Sequence, residues 1–187
     1  MRAAPAAVPV GLAWLLTLFA CVAPAGDLDG GDLEGGSGAC APACAADQVC
    51  QAGDCVPLDG EEDPLQRCAD VVNGYRAQAG RAALTRSDAL ERFAAEAAAY
   101  DAERGQAHAY FIATQGGGVA YAENEIPGWP LGADGSVLTI IDEGTAMMWA
   151  EGPGGGHYDN MVGNYTEIGC GVFITAGDFV WVAQDFR

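Results

Sequence analysis

Between Leu65 and Glu151 the apolar residues recur at three- and four-residue steps, and from Ile168 to Phe186 they alternate. The first pattern lines one face of a helix and the second one face of a strand. Leu65, Cys68, Val72 and Tyr75 fall on one stripe of a predicted helix that Gly80 would end. A second is predicted after Ser87, which suits an N-cap, with Leu90, Phe93, Ala97 and Tyr100 on one face and Gly105 at its close. A third is predicted from about Ser136 through Val137, Ile140, Ile141, Met147 or Met148, and Trp149 toward Glu151. Ile168, Cys170, Val172 and Ile174 then alternate, Thr175 to Asp178 turns, and Phe179 to Phe186 returns as the second strand of a hairpin. Helices followed by a closing hairpin predict an α+β layered domain.

The 187 residues suffice for one domain of ordinary size with appendages, and a composition that is 50% apolar can fill a core. The formal charge is −18, with only eight basic residues, all arginine. A chain so acidic repels a phosphate backbone, which excludes nucleic acid as a partner. Residues 1–21 read as an export signal: Arg2 is followed by the apolar run Gly11 to Ala20, which is too short to span a bilayer. Leu18-Phe19-Ala20-Cys21 resembles a bacterial lipobox, in which Cys21 would carry lipid. Ala23-Pro24-Ala25 offers an ordinary cleavage site instead. On either reading six of the seven cysteines remain, an even number that suits an exported, oxidised protein. Membrane association is expected only through a lipid on Cys21.

Residues 22–38 are predicted to be an acidic, glycine-rich tether, too poor in apolar groups to repay the entropy of ordering. Residues 39–57 hold Cys40, Cys44, Cys50 and Cys55, and export favours disulfides over a metal knuckle. Three pairings of those four are open. Residues 58–64 form a linker, and residues 65–187 the main domain.

The stretch Met148 to Met161 carries the chemistry. Glu151 and His157 flank Gly152-Pro153-Gly154-Gly155-Gly156, a connector that can fold back on itself and bring the two side chains together. His157 is one of only two histidines, the other being His108 just beyond Gly105. No Gly-x-Ser-x-Gly, HExxH or P-loop pattern is present.

In order along the chain stand Asn73-Gly74-Tyr75-Arg76-Ala77 with Gly80 and Leu84, His108, Ala122-Glu123-Asn124, Trp149 with Glu151, Gly156-His157-Tyr158, Ile168-Gly169-Cys170-Gly171 and Trp181 to Phe186. Together these resemble the CAP superfamily (cysteine-rich secretory protein, antigen 5, pathogenesis-related 1), also called the SCP domain. Asp159-Asn160 stand where that family usually has Thr-Gln. The resemblance implies a three-layer α-β-α sandwich over residues 65–187, with a central cleft and a tetrad of His108, Glu123, Glu151 and His157. Two imidazoles and two carboxylates could hold Zn2+ or another divalent cation. Cys68 and Cys170, left over once the four-cysteine segment closes on itself, are predicted to pair.

Three functions follow as expectations. The first is an exported, non-enzymatic binding module whose cleft holds a metal and a small apolar or peptide ligand, a lipid or sterol being what the resemblance suggests. The second is a metal-dependent hydrolase with Glu123 or Glu151 as base. The third is an interaction protein that binds through the cysteine-rich segment. The first is favoured, because no residue is identifiable as the oxyanion stabiliser a hydrolase would need.

Overall fold

The computed structural model describes residues 48–51, 54–57, 63–132 and 136–187. The expected export signal, Cys21, the expected tether, Cys40 and Cys44 lie outside them, and Cys50 is described only as part of a strand.

The three predicted long helices form where the apolar periodicity places them, and their ends follow from local chemistry. Helix α1 is Pro64–Gln78. Asp63 caps it by accepting the Leu65 N–H at 2.9 Å, and proline at the first position gives up a donor that would be orphaned anyway. Helix α2 is Asp88–Arg104 and stops at Gly105, whose φ of 60° is the left-handed cap conformation. Ser87 sits at its N-cap, yet its side chain makes no capping bond; its backbone N–H is donated to Ile168 instead. Two short helices follow elsewhere, α3 (Ala109–Thr114) and α5 (Gly156–Met161). Between them lies α4, Val137–Ala150, capped by Ser136 Oγ on the Thr139 N–H at 3.2 Å.

Among the described residues six strands form one sheet. The hairpin β1 (Gln48–Gln51) and β2 (Asp54–Pro57) adds to the edge of β5 (Glu167–Ile174), which pairs with β6 (Phe179–Phe186), and β6 pairs with β4 (Ala122–Pro130) at the far edge. The two-residue β3, Thr85–Arg86, runs parallel to the start of β5. The predicted closing hairpin is β5–β6, with Ile168 opposite Phe186 and Ile174 opposite Val180.

Period two sorts the hairpin's side chains between two layers. Ile168, Cys170, Val172, Val180, Val182 and Phe186 enter one core with Val72 of α1, Ile141 and Met148 of α4 and Met161 of α5. On the other face Phe173, Trp181 and Ala183 meet Ala94, Ala97 and Ala98 of α2. Gly169 and Gly171 let α2 lie directly on β5: a Cβ at Gly171 would stand 2.2 Å from the Ala94 backbone. The result is the expected α-β-α sandwich. Cys68 and Cys170 are joined as predicted, tying α1 to β5 across 102 residues. Cys55 is also disulfide-bonded.

The strand β4 is an element that periodicity does not announce. Its sequence AENEIPGWP has three buried polar side chains in its first half and breaks register between Ile126 and Trp129, so it lacks the alternation that marks a strand. The sheet imposes the extended form through its pairing with β6.

Candidate metal-binding site

As the edge strand, β4 looks into both layers. Glu123 and Glu125 point toward α2, whereas Asn124 between them points toward α5. Asn124 is fully buried, donates to the His157 carbonyl at 3.2 Å and accepts from Asn160 Nδ2 at 3.0 Å. Asn160 also donates to the Glu123 carbonyl at 3.1 Å. These bonds fasten the helix that carries His157 to the strand that carries Glu123, and Asn160 holds the position at which the sequence departs from Thr-Gln.

His108 approaches from the other layer, at the start of α3. It adopts φ of 62°, rare for a side chain with a Cβ. Its Nδ1 lies 2.8 Å from Glu123 Oε1, and its backbone N–H is donated to Glu125 Oε2 at 2.7 Å. On the opposite side the glycine connector turns back, with φ of 69° at Gly152 and 93° at Gly154. Glu151 Oε1 thereby comes within 2.5 Å of His157 Nδ1, and its Oε2 accepts the His157 N–H at 3.1 Å. The two ring centres lie 6.5 Å apart, with planes at 32°. All four sequence-predicted residues are therefore brought together, as two carboxylate–imidazole pairs. In both pairs the carboxylate takes Nδ1, so Nδ1 carries the proton of the neutral ring and Nε2 keeps its lone pair.

The profile of the cysteine-rich secretory protein (CAP) family matches residues 69–186, more than half of the chain. The chain belongs to the CAP family. Among solved structures, a cysteine-rich secretory protein from Staphylococcus aureus matches at 15% identity with a TM-score of 0.45, over 70% of this chain and 40% of that one. Among curated proteins none matches.

This CAP domain contains acids whose role is not visible in the sequence. Asp101 of α2, Glu125 of β4 and Asp185 of β6 are fully buried beside Glu123. Asp185 lies opposite Glu123 in the β4–β6 register, and neither of its oxygens meets a donor. Burial, reinforced by Glu123, Glu125 and Asp101, pushes its carboxyl up to about 9. Burial likewise raises Glu125 to about 9 and Asp101 to about 6. The hydrogen bond to Glu123 holds the His108 imidazole above its ordinary value, against the effect of burial. The bond from His157 lowers Glu151, which is partly exposed. A signal for Glu125 exists: in a strand it shares a face with Glu123, two residues away. It is unreadable as long as β4 is not recognised as a strand.

Donor atoms of His108, Glu123 and Glu125 all lie within 4.8 Å of one another, a group that could hold a metal ion. Next to His157, Tyr158 packs on Trp149 with ring centres 4.6 Å apart, and Trp149 stacks on Tyr75 at 4.9 Å. Tyr75 opens onto a groove of about 460 Å³ between α1 and α4, walled also by Arg67, Gln78 and Asp142. The groove touches none of the four tetrad residues and is separate from the His/Glu site.

Proposed function

We propose that this CAP protein is an exported binding module in which His108 and His157 together hold a divalent cation, Zn2+ being the best match to a pair of neutral imidazoles. The reading is carried by one observation: each ring has Nδ1 committed to a carboxylate, leaving two Nε2 donors on rings 6.5 Å apart. At a metal–nitrogen bond of about 2.1 Å, two imidazoles sharing one tetrahedral ion have centres roughly 5–5.5 Å apart, so the two rings would close by about 1 Å when they take up the cation. Glu123 and Glu151 act from behind, fixing the tautomer and raising the basicity of the rings. A bound cation would supply Lewis acidity and open positions for water or a ligand.

Binding is favoured over hydrolysis because both carboxylates engage the Nδ1 side of the rings, away from Nε2, where a base for a bound water would be needed. A small apolar or peptide ligand is supported by Ile112, one helical turn after His108, and Tyr121, two residues before Glu123; both are exposed. Export is supported by the signal-like N-terminus and the Cys68–Cys170 bridge, which requires an oxidising compartment. Anchoring through Cys21 is tested by detergent partitioning, where recovery of the mature protein in the aqueous phase would refute it.

The cation is tested by calorimetric titration with Zn2+ of the wild type and of the double variant His108→Ala/His157→Ala. One site per chain in the wild type, lost in the variant, is expected. Equal binding by both proteins would remove the proposal.

A further inference from the structure

Arg76 of α1 is buried, 2% exposed, and among the described residues no carboxylate is paired with its charge. A buried cation is costly, and an apolar side chain of similar size would fill the same space without that cost. What the guanidinium supplies is a set of directed bonds, all to backbone carbonyls. Nε donates to Ala82 at 2.9 Å, and Nη1 donates to Met161 at 2.6 Å and to Gly163 at 3.1 Å. Ala82 lies in the loop after α1. Asn73, one turn before Arg76, clamps that loop by accepting the Leu84 N–H at 2.7 Å and donating to the Leu84 carbonyl at 3.0 Å.

The other two carbonyls belong to the helix that carries His157. Met161 is the last residue of α5, and Gly163 lies two residues beyond it. Carbonyls at a helix end have no helical donor, and a cation there suits the dipole. With six residues α5 is too short to be stable by itself, so its orientation comes from its ties to other elements. Its front is fastened to β4 through Asn124 and Asn160, and its rear to α1 through Arg76. His157 is its second residue, and the partner of that ring, Glu151, stands at the end of α4.

We propose that Arg76 is a positioning residue for His157: by fixing the rear of α5 from α1, it sets the helix so that the imidazole meets Glu151. Arg76 acts through the backbone of α5 and bonds to neither member of that pair. The inference rests on the reading of His157 as part of the site. It also accounts for arginine rather than lysine, since a guanidinium reaches carbonyls on two segments from two nitrogens. A lysine ammonium stops one bond short of Nη1 and has a single nitrogen.

The test is 15N NMR of the histidine-labelled, metal-free protein, wild type against Arg76→Lys and Arg76→Met, at a pH where both wild-type rings are neutral. With two histidines in the chain, the imidazole signals of each are separately readable. A ring held by its carboxylate keeps the proton on Nδ1 and gives two well-separated nitrogen signals. A ring released from it exchanges between tautomers, and the two signals move toward each other. That movement is expected for His157 in both variants, the larger in Arg76→Met. His108, held by Glu123 on the other side of the sheet, is expected to keep its wild-type signals and so reports any general loosening of the fold. His157 signals at their wild-type positions in either folded variant would overturn the proposal, as would shifts of equal size in both histidines. If Arg76→Met does not fold, Arg76→Lys, which keeps the charge and the stem, still decides. No metal is added, so a failed zinc titration and a His157 indifferent to Arg76 are separate results.

Discussion

His108 owes its raised basicity first to the hydrogen bond with Glu123, and the sign of that shift has two consequences. A histidine whose pKa is higher folded than unfolded stabilises the fold fully below the unfolded value near 6.5. That contribution fades as pH rises through the folded value. Cation binding runs the other way, because the proton on Nε2 must leave first, so Zn2+ affinity is expected to rise with pH across the same window. Glu123→Gln should bring the His108 titration midpoint back down toward the ordinary value in NMR; an unchanged midpoint would deny Glu123 that role. Asp185 gives a second pH dependence. Its carboxyl titrates at about 9 in the folded protein against an ordinary aspartate value of 3.8, so between those values the native state holds a proton that the unfolded chain has lost. Stability therefore declines as pH rises through that window. Asp185→Asn should flatten the decline, with a urea midpoint above wild type by a margin that grows from pH 5 to pH 8.5; a constant margin would contradict the shift.

At the scale of elements, the connector after α4 and the strand β4 decide the geometry. Gly155 is the tight point: a Cβ there would stand 2.4 Å from Glu151 Cβ and 2.8 Å from its Oε2. Gly155→Ala is therefore expected to displace Glu151 from His157 and weaken Zn2+ binding by about 10–100-fold, the usual cost of losing an outer partner of a metal-bound histidine. Thermal stability should change little, since the connector is largely exposed. Calorimetry showing wild-type affinity would mean that Glu151 does not orient His157. The same two elements mark the limit of what the sequence reveals. Helices α1, α2 and α4 and the hairpin β5–β6 are legible because their apolar residues keep a clean period and Gly80, Gly105 and Ser136 stand at or just beyond their ends. The tetrad is legible from its residue types in order, and Glu151 meets His157 although it follows Trp149 by only two residues. β4 is not legible, because its buried side chains are polar: Glu123 and Glu125 serve His108 while Asn124 serves α5. Asp101 and Asp185 look like ordinary surface acids until α2 and β6 bury them together.

On the scale of the whole molecule, the site exists because two layers meet at one sheet edge, His108 arriving from the α2 side and His157 from the α4 side. Keeping that edge in register depends on how the layers are held. The bridge Cys68–Cys170 closes a long loop, 102 residues apart in sequence, and by its effect on chain entropy it contributes ~4 kcal/mol. Replacing both cysteines with alanine should lower the urea-unfolding free energy by about that amount; a loss smaller than about 1 kcal/mol would show that the bridge adds little. On the other face, Gly171→Ala has backbone rather than a pliable side chain in its way, so it should cost at least the ~1–3 kcal/mol of an overpacked core and separate α2 from β5. Thermal unfolding at wild-type temperature would refute that close contact. Whether the two layers meet in order to hold a cation is read most directly by anomalous scattering at the zinc edge from a zinc-soaked crystal. A single peak bonded to Nε2 of both His108 and His157 is the expected result. A peak at His108 Nδ1 shared with Glu123 and Glu125, or no peak between the rings, would contradict it.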